Sequence, residues 1–185
     1  MHTFTSNKHR NFLHGDIHAM TAVHFSEAAL HNPVDVAELV VMDRDWSFDR
    51  LDDGELVAEV NGTWSNYRIW FAWQEDLGGL TLSCTFDAKL PKSAMPKVHA
   101  LLALVNDKLW LGHFAIAAEE SAIAFRHSIL ICNGMGTTAE QIQGLLDIAV
   151  QECERFYPAF QSAVWSGKSP AEALEIALFE TIAEA

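Results

Sequence analysis

Positive charge is scarce in this chain: 12 Lys and Arg stand against 25 Asp and Glu, for a formal charge of −13. A field of that sign repels a phosphate backbone and an anionic membrane surface, which makes nucleic acid and lipid headgroups poor direct partners. No apolar run approaches the roughly 20 residues that span a bilayer. Cysteine is also rare. Cys84, Cys132 and Cys153 are odd in number, far apart and each set in an apolar periodic context. They read as reduced core thiols of a cytoplasmic protein, not as a disulfide framework. The first residues carry His2, Lys8, His9 and Arg10 but no apolar block ending in a small-residue cleavage site, so no secretory signal is expected.

What is present is enough for a core: half of the 185 residues are hydrophobic and six are Trp. That length suits one domain. Residues 1–30 differ in texture, since six of the nine histidines fall at or before His31 and periodicity is weak. They read as a flexible, His-rich tail ahead of a domain over 31–185. Order begins at Asn32, a good N-cap, followed by Pro33 at the first helical position and Asp35 at the positive helix end. Val34, Ala37, Val40 and Val41 continue as one apolar stripe to about Asp43.

Three strands are expected next, over Glu55–Val60, Asn66–Gln74 and Leu80–Asp87. The third alternates strictly, with Leu80, Leu82, Cys84 and Phe86 on one side and Thr81, Ser83, Thr85 and Asp87 on the other. Asn61-Gly62 and Gly78-Gly79 supply the turns. A helix follows from about Ser93 to Trp110. Then comes a hairpin of Gly112–Ala118 and Ala122–Cys132 around a turn at 119–121. Thr137-Thr138-Ala139-Glu140 is read as a capping box that opens a long helix, with Pro158 marking a break or kink. Ser169-Pro170-Ala171-Glu172 opens a last helix. The order α-β-β-β-α-β-β-α-α predicts an α+β fold: one twisted antiparallel sheet of about five strands, with helices mainly on one face.

Several stretches invite a chemical reading. Gly134-Met135-Gly136-Thr137-Thr138-Ala139 fits the loose dinucleotide form G-x-G-x-x-A, but that loop must lead through a helix to a parallel strand, and only helical sequence follows. His14 and His18 are spaced for a metal, yet Gly15 weakens a helix there and no structured third ligand is evident. The acidic run Asp43, Asp45, Asp49, Asp52, Asp53 and Glu55 lacks the ordered ligand spacing of a calcium loop and reads as a solvated helix end and turn. Cys153 lies on an apolar stripe between Glu152 and Glu154, which suits a core thiol and not a nucleophile; Arg155 is placed to pair with a carboxylate. If residue 118 pairs with 122, His113 faces His127, a candidate ligand pair. The sequence thus points to no catalytic residues, metal site or cofactor. Its strongest hint is the aromatic set Trp64, Tyr67, Trp70, Phe71 and Trp73. Alternation puts Trp64 and Trp70 on the face away from the core, where a partner, a ligand, the N-terminal segment or a second copy of the chain must cover them.

The stretches DWSFDRLDDGELVAEVNGTWSNYRIWFAWQEDLGGLTLSCTFD, ALVNDKLWLGHFAI, FRHSILI and ECERFYPAFQSAVWSGKSPAEALEIALFET resemble the YbjN-domain family, over about residue 32 to the end. The family is described as bacterial sensory transduction regulators, and its fold is similar to that of type III secretion chaperones. The resemblance implies a non-enzymatic, protein-binding role, with no catalytic residues to carry over. The alternative from the residues is a small-molecule or metal-binding domain built on His113 and His127. The charge predicts that random duplex DNA is not retained in a gel-shift assay at physiological salt. Submicromolar binding there would contradict it.

Overall fold

Helix α1 (Pro33–Asp43) starts as its local chemistry requires: Asn32 is extended, and its side-chain oxygen accepts a hydrogen bond from the Val34 N–H at 2.9 Å. Val34, Val36, Ala37, Val40 and Val41 are buried. The computed structural model describes residues 32–86, 89–117, 121–131 and 136–183. The tail with His14 and His18, Cys132, and the first two residues of the glycine loop lie outside the described residues.

Six strands form one sheet: β1 (Ser47–Arg50), β2 (Glu55–Asn61), β3 (Asn66–Gln74), β4 (Gly79–Phe86), β5 (His113–Ala117) and β6 (Ala122–Leu130). Their spatial order is β1-β2-β3-β4-β6-β5, and every pairing is antiparallel. Helices α2 (Met95–Asn106), α3 (Ala139–Trp165) and α4 (Pro170–Ala183) complete the fold. The α+β class and its element order agree with the sequence reading, with one strand more than expected. β1 is four residues of SFDR beside an acidic loop, too short and polar to read as a strand.

The helices share one face of the sheet with Leu56, Ala58, Val60, Tyr67, Ile69, Phe71, Leu80, Leu82, Cys84 and Phe86, and together they make one core. Ala72, Ala122 and Ala124 are buried on the opposite face and stand apart from that core. So do the hydroxyl side chains of β4: Ser83 and Thr85 are buried although they point away from the helices. Ser83 lies between Trp70 of β3 and Arg126 of β6, and Thr85 between Arg68 and Ala124.

Four expectations need correction. The hairpin register is shifted by one, with Ala117 opposite Ala122 and His113 opposite Arg126, not His127. The cause lies at Ser121, which is left-handed (φ 49°) and whose carbonyl accepts the Leu90 N–H at 2.7 Å, drawing it out of the ladder. The cap of α3 also moves by one: Thr138 accepts from the Gln141 N–H and Gln141 Oε1 accepts from the Thr138 N–H. Both Thr137-x-x-Glu140 and Thr138-x-x-Gln141 satisfy the capping pattern, and the second frame wins. Pro158 does not break α3, which continues to Trp165. Finally, α2 begins after a 3₁₀ turn at Lys92–Ala94 and ends at Asn106, four residues before the expected Trp110.

That early end has a use. The Asn106 side chain accepts from the Phe114 N–H (2.7 Å) and donates to the Phe114 carbonyl (3.0 Å). Both groups belong to β5, the outermost strand of the sheet, and no further strand among the described residues satisfies them. Asn106→Leu keeps the size and leaves both part-buried groups unpaired. A loss of about 1–3 kcal/mol is expected, read from urea unfolding, with exchange protection falling first in β5.

Candidate functional site

Three regions hold the residues that the sequence singled out. The first is the face of the sheet that carries none of the described helices, the helix-free or open face. Trp70 lies there, half-buried, with its indole N–H donating to Glu55 Oε2 at 3.4 Å across the strand pair. Tyr67, Phe71 and Trp73 take the helix side, as alternation requires. Trp64 does not obey the alternation, because it belongs to the β2–β3 turn and not to β3; it is 45% exposed. The neighbouring Thr63 N–H donates to Glu154 Oε1 of α3 at 2.7 Å, which ties this turn to the long helix. Charge divides the open face: Asp49, Glu55 and Glu59 sit on β1 and β2, and Arg68 and Arg126 on β3 and β6.

The second region is the middle of α3. Cys153 is fully buried, and its thiol donates to the Cys84 carbonyl at 3.7 Å. Both thiols are free. Burial above all, then the neighbouring Cys84, pushes the Cys153 pKa well up, so this thiol stays protonated. Glu152 is buried too; desolvation raises its pKa against the opposing pull of Arg155, 3.5 Å away. The Arg155 guanidinium also lies 4.8 Å from the Phe156 ring centre. The Tyr67 hydroxyl is buried without a well-formed hydrogen bond, beside Glu154; burial and then that carboxylate raise its pKa. These are groups held in their uncharged or paired forms by packing. Among the described residues no cluster of three or more His, Cys, Asp and Glu could hold a metal ion. The acidic turn instead organises around a protein cation: Arg50 donates to Asp35 (3.0 Å), Glu38 (2.9 Å) and the carbonyls of Asp52 and Asp53.

The third region was not foreseen. A groove of about 540 Å³ opens between the end of β6 and the first turns of α3. Leu111, Ile129, Leu145 and Ile148 give it aliphatic walls, and His127, Thr137, Glu140 and Gln141 are its polar lining. His127 turns to this side because it pairs with Leu82, a core-facing residue of β4, whereas His113 sits opposite Arg126 on the other face. The expected imidazole pair is therefore split between the two faces. Desolvation, then the field of His113, lowers the His127 pKa. Alternation in β6 carries some of this information; the groove itself depends on the approach of α3, which no local pattern encodes.

The site thus rests on an α+β fold, a six-stranded antiparallel sheet with its described helices gathered on one face. Residues 33–162, most of the chain, match the YbjN family, described as "Putative bacterial sensory transduction regulator", and the chain belongs to that family. Among solved structures it is similar to the crystal structure of YbjN from E. coli, described as "a putative transcription regulator", at 12% identity and a TM-score of 0.48. The similarity covers 80% of this chain and 93% of that one. No curated protein matches the sequence. No helix among the described residues is long and apolar enough to cross a membrane.

The His127 shift has a stability consequence. A histidine whose folded pKa lies below its unfolded one binds protons more tightly when unfolded. Its contribution is therefore complete above the unfolded pKa of about 6.5 and declines as pH falls below that value. Acidification from pH 7.5 to 5.5 is expected to lower the Tm of the wild type more than that of His127→Gln, measured by circular dichroism.

Proposed function

We propose that the chain is a non-enzymatic, cytoplasmic regulatory module that acts by protein contact through the helix-free face of its sheet, with a second copy of the chain as the resting occupant. The observation that carries this reading is the composition of that face. Trp70 stands at its middle, beside the apolar Val57 of β2. One half of the face is acidic, through Asp49, Glu55 and Glu59, and the other half basic, through Arg68 and Arg126. A surface divided this way is complementary to itself under a two-fold rotation, which sets each basic half against an acidic one. Leaving aromatic surface in water costs about 25 cal/mol per Å². Family membership in a group of described regulators favours a binding role. The −13 charge favours protein over nucleic acid as the thing bound. Trp64, exposed at the end of β2 and β3, is a second anchor for a partner that reaches the turn.

The oligomeric state tests the proposal. A dimer is expected at high micromolar concentration by light scattering, dissociating on dilution. Trp70→Glu is expected to weaken it by roughly 30-fold or more, the scale of losing a buried aromatic anchor. The double change Arg68→Glu with Arg126→Glu makes the face uniformly acidic and is expected to abolish pairing without loss of fold. A full-length chain that remains monomeric at high micromolar concentration overturns the dimer.

A further inference from the structure

The groove between β6 and α3 contains two features that the fold does not explain. Thr137 is only 9% exposed, and its hydroxyl is buried with no hydrogen-bond partner. The helix has no use for it, because the cap is supplied one residue later by Thr138 and Gln141. A buried hydroxyl left unpaired is costly, which makes it a group waiting for a partner. The other feature is Gly144. It lies inside α3, where glycine weakens a helix relative to alanine, and it lines the groove. A Cβ built on it would meet nothing within 4 Å, so no close packing among the described residues requires glycine there. Its missing side chain keeps the groove open.

We propose that this groove binds a small, uncharged, chiefly aliphatic molecule: a medium-length chain carrying one hydrogen-bonding head group, such as an alcohol, ester or amide. The volume of about 540 Å³ is within the range of small-molecule sites, which are mostly apolar with a few placed polar groups. Leu111, Ile129, Leu145 and Ile148 receive the chain. The Thr137 hydroxyl and the His127 imidazole, which has no hydrogen-bond partner among the described residues, receive the head. A carboxylate or phosphate head finds no Lys or Arg in the groove's described lining to offset the loss of its water. An ammonium head would have to leave water for aliphatic walls. Its one anionic neighbour, Glu140, is fully exposed, where ion pairs contribute little. The site lies on the helix side of the sheet, away from Trp70, so it stands or falls independently of the dimer.

The test uses the full chain at pH 7.5 and three probes of equal chain length: 1-octanol, octanoate and octylammonium, followed by isothermal titration calorimetry. Octanol is expected to bind, and to bind at least about tenfold more tightly than either ion, because burying an uncompensated charge costs well over the roughly 1.4 kcal/mol that a tenfold difference represents. Gly144→Leu adds an aliphatic side chain to the groove from a helical position where a Cβ meets nothing within 4 Å. It is expected to keep or raise the Tm while abolishing octanol binding, and Thr137→Val is expected to weaken octanol several-fold. The proposal is overturned if octanol does not bind the wild type, if octanoate or octylammonium binds as tightly, or if Gly144→Leu binds octanol unchanged.

Discussion

The contact on which the remaining structure depends is the ring cluster centred on Phe114. Its ring lies 5.3–6.0 Å from those of Phe86, Phe125, Phe156 and Phe160, in edge-on or tilted geometries. Edge-on pairs at such separations add to what burial alone gives. These five residues come from β4, β5, β6 and α3, so one patch of aromatic surface joins the outer hairpin to β4 and to the long helix. Tyr67 and Tyr157 extend the cluster through Phe86. The five-residue strand β5 would have little to hold it without this anchor. Asn106 fixes the backbone of the same residue from the opposite side, so the ring and main chain of Phe114 are both committed.

Elements whose signals are local were legible from the sequence. The Asn32-Pro33 start of α1, the alternation of β4 and the Ser169–Glu172 box opening α4 each rest on residues within one turn or one strand, and each appears where it was expected. The thiols of Cys84 and Cys153 also behave as their apolar settings suggested. The misses share a different origin. The hairpin register was decided by Leu90, about 30 residues from Ser121 in sequence. The cap frame of α3 was chosen between two equally good patterns. Pro158 is buried and α3 runs on through it to Trp165, so packing there outweighs the hydrogen bond that proline removes. The candidate site was legible only in part: alternation placed Trp70 correctly, but it failed for Trp64 in a turn and for His113, whose partner depended on the register.

The sheet thus separates two environments. On the helix side, burial drives the ionisable groups toward neutrality or into pairs, as at Glu152, Cys153 and Tyr67. On the open side, small side chains at Ala72, Ser83, Thr85, Ala122 and Ala124 lie low between longer ones, and the charged residues stand proud in two opposed halves. Long side chains flanking a recessed, small-residue strip give that face relief as well as charge. Complementary relief is what distinguishes a specific contact from a merely sticky one.

The clamp of Asn106 on Phe114 also sets how the molecule can multiply. A strand edge with free amides is an open-ended template: each copy that joins presents the same edge again, and growth has no natural stop. A side-chain amide that occupies those positions withdraws this end of the sheet from such propagation, by the same two bonds that a neighbouring strand would have made. At Phe114, then, an added strand finds its bonding groups already taken, and association there is left to side-chain surfaces that are consumed when they meet.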